Sequence, residues 1–111
     1  MKGYAKANIM GNLTADPEVR EITTGAGEKV NKVEFSIAVS DRQEDDVMFL
    51  RCEAWGKLGE IITMAKKGEP VFIEAQIDQH NYEDDAGNKR VITRYRAREF
   101  RFLGSKGQEV T

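Results

Sequence analysis

Apolar and polar residues alternate along most of this chain with the two-residue period that is typical of half-buried β-strands. In the clearest segment, 30–39, four apolar residues fall on one face: Val33, Phe35, Ile37 and Val39. The same pattern, interrupted by turns rich in Gly, Asp and Asn, predicts strands over residues 4–13, 19–22, 30–39, 47–55, 71–82 and 91–103. In the last segment the apolar residues change phase near Arg98, which predicts a β-bulge there.

One segment has the period of a helix instead. Its apolar residues are spaced i, i+3, i+4 and i+7 and form a single stripe: Leu58, Ile61, Ile62 and Ala65. We expect the basic pair at 66–67 to close this helix, because positive charge stabilises the negative end of the helix dipole, and Gly68 to end it. An all-β chain with one helix in its middle is predicted to form a five-stranded Greek-key barrel of the OB type, since a sandwich of this size usually lacks that helix.

The length of 111 residues fits a single domain, which we place at residues 1–104, followed by a short C-terminal extension over 105–111. No apolar run approaches the ~20 residues of a membrane span. One cysteine and one histidine exclude an internal disulfide and a zinc cluster. We therefore expect a cytoplasmic protein with no metal, no cofactor and no membrane partner.

The net charge of −2 argues against a polyanionic partner, but it conceals a strong asymmetry. Segment 41–46 carries one basic and four acidic residues, whereas segment 89–101 carries six basic residues and one acidic residue. Three of those basic residues share one face of the last predicted strand: Arg94, Arg96 and Arg98. This stripe is either a track for a polyanion or a solvated face paired with acidic residues of the neighbouring strand, for which Glu74 and Asp78 are candidates.

The strand predicted over 47–55 has two unlike faces. Its even-numbered residues are apolar and are expected in the core: Met48, Leu50, Cys52 and Ala54. The opposite face includes two large aromatic residues with an arginine between them; its members are Val47, Phe49, Arg51, Glu53 and Trp55. Either a loop or an oligomer interface covers these aromatic residues, or they form a platform on which nucleobases stack while Arg51 binds a phosphate or stacks on a base.

Groups that would carry catalysis are missing from the pattern. Cys52 has core parity and His80 has the opposite parity, so they are poor candidates for a nucleophile and its base. The acidic segment 41–46 lacks the spacing of a calcium loop and is expected to be solvated. The chain contains no Gly-rich phosphate loop and no serine elbow, and we expect that it is not an enzyme.

Four segments, in the same order, resemble the bacterial-type single-stranded DNA-binding protein family over nearly the whole chain. They are GNLTADPEVR at 11–20, FLRCEAWGKLGEI at 49–61, KGEPVFIEA at 67–75 and GNKR at 87–90. The resemblance implies an OB-fold over residues 1–104 that binds single-stranded DNA without sequence preference. It also implies a homotetramer, or else a dimer, that needs no cofactor and serves DNA replication, repair and recombination in a nucleoid or a phage-infected cell.

The resemblance also implies site residues. The stacking aromatic residues fall on Phe49, Trp55 and Tyr82. Basic contacts fall on seven further positions: Lys6, Arg20, Arg51, Lys57, Lys66, Lys67 and Arg90. The stripe that includes Arg94 and Arg96 is added to the predicted DNA-binding residues on its own pattern.

Departures from the family keep a second hypothesis open. Segment 41–46 is acidic where the family often has a tryptophan, and segment 78–81 lacks the family's basic residues. Bacterial members continue into an acidic tail that recruits replication and repair proteins, so a chain ending at Thr111 is expected to be trimmed or to belong to a phage, plasmid or organelle-like branch. The alternative is an OB-fold replication-restart (primosomal) protein that binds mainly protein partners; the acidic segment favours it, and the aromatic pair on strand 47–55 favours DNA.

The strands at 29–39 and 71–103 carry outward apolar residues, of which Phe72 and Ile92 are examples. Because small barrels leave strand edges open, we expect these surfaces to assemble the homo-oligomer.

Overall fold

A computed structural model of the protein describes residues 1–40 and 46–104. Residues 41–45 of the acidic segment and the predicted extension at 105–111 lie outside the described residues. The elements are β1 (Lys6–Leu13), β2 (Glu18–Thr23), β3 (Lys29–Ser40), β4 (Val47–Trp55), α1 (Gly56–Ile62), β5 (Pro70–Glu83) and β6 (Lys89–Phe102). The prediction of a mainly β chain with one helix after the third long strand is confirmed.

The strands form one sheet in the order β1-β5-β6-β4-β3-β2, and a further pairing between β1 and β3 closes five of them into a barrel. The closing pairs are Asn12 with Ala38 and Leu13 with Ile37. All pairings are antiparallel except that of β4 with β6. This arrangement confirms the predicted OB-type barrel, with β2 continuing the direction of β1 along β3.

Residues 11–16 connect β1 to β3 and to the loop after the helix. A Cβ atom at Gly11 would overlap the carbonyl oxygen of Ala38 and lie 2.8 Å from Cγ2 of Ile37, so β1 and β3 can approach each other only with glycine here. The side chain of Asn12 donates to the Gly68 carbonyl at 2.9 Å, and Asp16 accepts from the backbone N–H of Lys67 at 2.7 Å. These contacts tie the loop after the helix to the end of β1.

The helix ends earlier than its apolar stripe predicts. It stops at Ile62, and the following turn tightens because Met64 and Ala65 donate to carbonyls three residues back, at 3.1 and 3.0 Å. Ile62 and Ala65 are buried as expected, but Ile61 is exposed. The prediction that the helix continues through 66–67 and ends at Gly68 is wrong, because α1 ends at Ile62 and the backbone N–H groups of 66–67 donate to the side chains of Glu69 and Asp16.

The core is formed by inward residues of every strand except β2, together with Ile62 and Ala65. Cys52 and Ala54 of β4 are buried as predicted and Leu50 is partly buried, whereas Met48 is 57% exposed. Met48 pairs with Val39, one residue beyond the last contact of β3 with β1, so it lies on the part of the β3–β4 hairpin that extends past the barrel wall.

The predicted bulge in β6 is confirmed. Glu74 pairs with Glu99 and the next residue, Ala75, pairs with Ala97, so that Arg98 has no pairing partner in β5. The extra residue returns Phe100 to the core, in edge-to-face contact with Phe102 at 4.8 Å between ring centroids.

Candidate nucleic-acid interface

The outward face of β4 presents the predicted aromatic pair. In the pairing with β3, Phe49 lies opposite Ala38, Arg51 opposite Ser36 and Trp55 opposite Lys32. Strand geometry separates Phe49 from Trp55 by roughly 20 Å along β4. The face therefore carries two aromatic rings at its ends and a cation between them.

Phe49 lies at the exposed end of this face. Its side chain is 68% exposed, and its neighbour across the strand is the small residue Ala38. Arg51 is also exposed and lies opposite Ser36. A base can therefore approach the Phe49 ring without displacing a large side chain of β3.

Trp55 is held far more tightly. Its indole Nε1 donates to Oε2 of Glu53 at 3.3 Å. Lys32, on β3, and Arg96, on β6, lie 5.7 and 5.9 Å from the centroid of the ring, within the range of cation–π attraction. A base that stacks on Trp55 must share the ring with these cations or displace one of them.

A charged cluster, defined as Arg20, Lys32, Glu34, Glu53 and Arg94, extends from β2 to β6 next to Trp55. Glu34 accepts from Arg20 at 2.6 Å, and its other oxygen lies 3.3 Å from Lys32 and 4.0 Å from Arg94. Oε1 of Glu53 lies 3.4 Å from Lys32 and 3.5 Å from Arg94. Burial alone would raise the pKa of Glu34, but hydrogen bonds from Arg20 and Lys32 outweigh it and lower that pKa below its ordinary value.

The three arginines of the stripe contact different partners. Arg94 belongs to the charged cluster, Arg96 lies at Trp55, and Arg98 donates to Gln76 at 2.6 Å. The alternative that the stripe pairs with acidic residues holds for Arg94, which faces Glu34 and Glu53, but the candidates Glu74 and Asp78 are wrong. Glu74 binds Lys6 at 2.7 Å instead, and Asp78 accepts from Gln76.

The other predicted cations fall into two groups. Lys6 pairs with Glu74 and Arg90 with Asp84, at 2.7 and 2.9 Å. These contacts raise the pKa of Lys6 and lower that of Asp84. Four cations are exposed and form no ion pair with another residue in 1–40 or 46–104: Arg51, Lys57, Lys66 and Lys67.

Tyr82 lies apart from the β4 face. It is 51% exposed and pairs with Arg90, six residues before the position at which Arg96 meets Glu53. That separation is roughly 20 Å along β6. The structure therefore brings Phe49, Arg51 and Trp55 onto one face and leaves Tyr82 and Arg90 towards the far end of the β5–β6 hairpin.

An open cleft of about 640 Å³ lies beside the charged cluster and is lined by residues that include Arg51, Ser36 and Cys52. Burial raises the pKa of the Cys52 thiol to about 12, which leaves it protonated and unreactive at neutral pH. Within the described ranges, His, Cys, Asp and Glu residues form no group of three that could hold a metal ion. No helix in this part of the chain is long and apolar enough to cross a membrane.

Sequence reasoning missed Lys32, Glu34 and Glu53. Strand parity places Glu53 outward, yet the residue is only 7% exposed because Trp55, Lys32 and Arg94 surround it. Glu34 lies directly opposite Glu53 across β3 and β4, and this pair of like charges needs neighbouring cations, but the register that brings the two together is not visible in the sequence.

The chain is similar in sequence to known proteins. The model of the Single-strand binding protein family matches residues 4–103. The chain is 31% identical to Single-stranded DNA-binding protein 1 of Xylella fastidiosa, covering 96% of this chain and 82% of that protein. It is 33% identical to Single-stranded DNA-binding protein 1 of Chlorobaculum tepidum, covering 95% and 68%. It is 32% identical to the Single-stranded DNA-binding protein of Mycobacterium tuberculosis, covering 83% of this chain but only 60% of that protein. The chain therefore belongs to the single-strand binding protein family.

Proposed function

We propose that this chain binds single-stranded DNA without sequence preference through the outward face of β4. The observation that carries the proposal is the placement of Phe49, Arg51 and Trp55 on one side of that strand, with the Phe49 ring 68% exposed. Every base has a π-face, so stacking on aromatic residues contributes about 1–3 kcal/mol per base whatever the sequence. The family is one of non-enzymatic DNA-binding proteins, in agreement with the expectation that the chain is not an enzyme.

The cations supply the second part of the binding energy. Arg51 lies between the two rings, and Lys57, Lys66 and Lys67 are exposed on α1 and the loop that follows. Their charges attract the phosphates of a strand whose bases stack on Phe49 and Trp55. Tyr82 and Arg90 are proposed to contact the same strand where it runs along the β5–β6 hairpin.

Assembly and cellular role belong to the same proposal. Met10 is 63% exposed and pairs with Phe72 of β5, so an apolar patch lies on the outer surface of the barrel. We propose that this patch joins copies of the chain into a tetramer, or else a dimer. The oligomer would protect single strands inside the cell during replication, repair and recombination.

A competition assay tests the proposal. The anisotropy of a labelled oligo-dT of about 16 nucleotides is measured while unlabelled DNA competes. We expect a mixed-sequence single strand to compete as well as oligo-dT, and a duplex of the same length to compete far less. A duplex that competes equally would show that binding is electrostatic alone and would overturn the proposal.

A matched pair of arginine variants locates the binding face. Arg51→Ala removes the exposed cation between the two rings, whereas Arg101→Ala removes another exposed arginine, which pairs with Glu99 on β6. We expect Arg51→Ala to weaken binding and Arg101→Ala to leave it nearly unchanged. Equal losses in the two variants would contradict the assignment to β4.

A further inference from the structure

Glu53 is the buried charged residue of the described part of the chain, and it lies directly beside the predicted stacking ring. One of its oxygens accepts from the Trp55 indole at 3.3 Å. The other is inaccessible to solvent and has no hydrogen-bond partner in the described residues. That oxygen instead faces two cations, Lys32 and Arg94, at 3.4 and 3.5 Å.

A carboxylate as buried as that of Glu53 offers DNA almost no surface, but it acts on side chains that are more exposed. It fixes one edge of the Trp55 ring through the indole N–H. It also lowers the net charge of the cluster, which holds three cations and two carboxylates and therefore carries a net charge of +1. A cation that already faces a carboxylate attracts a phosphate less strongly, because the carboxylate repels the phosphate.

We propose that Glu53 is a positioning residue that sets the Trp55 ring for base stacking and withholds Lys32 and Arg94 from the DNA backbone. This inference rests on the proposed function. One buried side chain would then influence both the stacking of bases on Trp55 and the electrostatic attraction of the phosphates. The consequence is binding that depends less on salt than the number of cations on this face suggests.

Two substitutions separate these roles. Glu53→Gln removes the charge but keeps an oxygen that can accept from the indole. The cluster then carries a net charge of +2, so one further phosphate can be neutralised. The slope of log affinity against log salt should become steeper by about 0.7, with tighter binding at low salt and unchanged quenching of Trp55 emission.

Glu53→Asp does the reverse, because it keeps the charge but withdraws the carboxylate from the indole by one methylene. We expect the salt slope to stay the same. Quenching of Trp55 emission by DNA should fall, and affinity at high salt should drop by about 5-fold, the lower limit for one lost stacking contact.

Two controls complete the experiment. Glu34→Gln makes the same change of charge within the cluster, but Glu34 is only half-buried and does not accept from the Trp55 indole, so the substitution should steepen the slope by about 0.7 without altering Trp55 emission. Glu60→Gln adds the same charge on the exposed surface of α1, outside the cluster, and should leave the slope unchanged.

The outcomes are distinct from those that test the proposed function. If the wild-type chain does not bind single-stranded DNA, the proposed function fails. If it binds, but Glu53→Gln has the slope of Glu60→Gln, the withholding role is wrong. If it binds, but Glu53→Asp keeps full quenching and full affinity at high salt, the positioning role is wrong. A purely structural role would change the unfolding midpoint and leave both binding measurements unaffected.

Discussion

Truncation of Phe49, the more exposed of the two β4 aromatic residues, should separate binding from stability. Phe49 is 68% exposed, so Phe49→Ala removes little buried surface. Full burial of a phenylalanine stabilises a fold by about 1.5–3 kcal/mol, and the buried third of Phe49 should therefore account for less than about 1 kcal/mol of the free energy of unfolding. The loss in binding should be larger, about 1–3 kcal/mol, or roughly 5- to 150-fold.

Trp55→Ala should reduce both quantities. The indole is half-buried, donates to Glu53 and lies within 6 Å of Lys32 and Arg96. A fully buried tryptophan costs about 3–5 kcal/mol when it is truncated, so we expect about 1–3 kcal/mol for this half-buried one. Its removal also leaves Glu53 buried without the N–H that it accepts from.

The two quantities are measured separately. Urea unfolding followed by circular dichroism gives the free energy of unfolding, and the anisotropy of labelled oligo-dT at high salt gives the stacking part of the affinity. Phe49→Ala keeps Trp55 as a fluorescent reporter. If Phe49→Ala binds like the wild type, the exposed ring is not a stacking platform. If it is destabilised by several kcal/mol, Phe49 is packed in a way that the structure does not show.

Three further predictions follow from the charges, the surfaces and the barrel closure. The slope of log affinity against log salt should lie near about −3 per chain, because each of the four exposed cations that form no ion pair in the described residues contributes about −0.7. All nine predicted cations would instead give a slope of about −6. The double substitution Asp45→Asn with Asp46→Asn should tighten binding at low salt only, and weaker binding would mean that the acidic segment contributes to the interface. Sedimentation at micromolar protein should show a tetramer or a dimer, and a clean monomer would reject the proposed assembly. Gly11→Ala should destabilise the fold by about 1–3 kcal/mol, because the new Cβ atom overlaps the Ala38 carbonyl. Gly25→Ala should be nearly neutral in the same urea titration, because a Cβ atom there has no other atom within 4 Å.

The alternation of side chains was enough to predict the strands and the bulge, because both depend on local periodicity, and the single helix among many short strands indicated the barrel. The opposite parities of Cys52 and Phe49 gave the inner and outer faces of β4 correctly. Periodicity does not show where a strand leaves the barrel, and for that reason Met48 was wrongly placed in the core. It also does not show where a helix tightens, so Lys66 and Lys67 were assigned to a helix that ends before them.

The charged cluster could not be predicted from the sequence, for a different reason. Its contacts join residues of β2, β3, β4 and β6, and their distances depend on register between strands that are far apart in sequence. A shift of one residue in β3 would move Glu34 to the other face and away from Glu53. Strand parity alone therefore described Trp55 as an outward ring but could not show that Glu53, Lys32 and Arg96 hold it.

The most direct test of the central claim is a titration of the wild-type chain with oligo-dT, followed by the emission of Trp55, the single tryptophan of the chain. If bases stack on the β4 face, emission should fall steeply and reach a plateau at a fixed ratio of nucleotides to protein. The plateau should persist at high salt, where stacking still contributes. Unchanged emission together with no measurable binding would contradict the claim and favour a barrel that binds mainly protein partners.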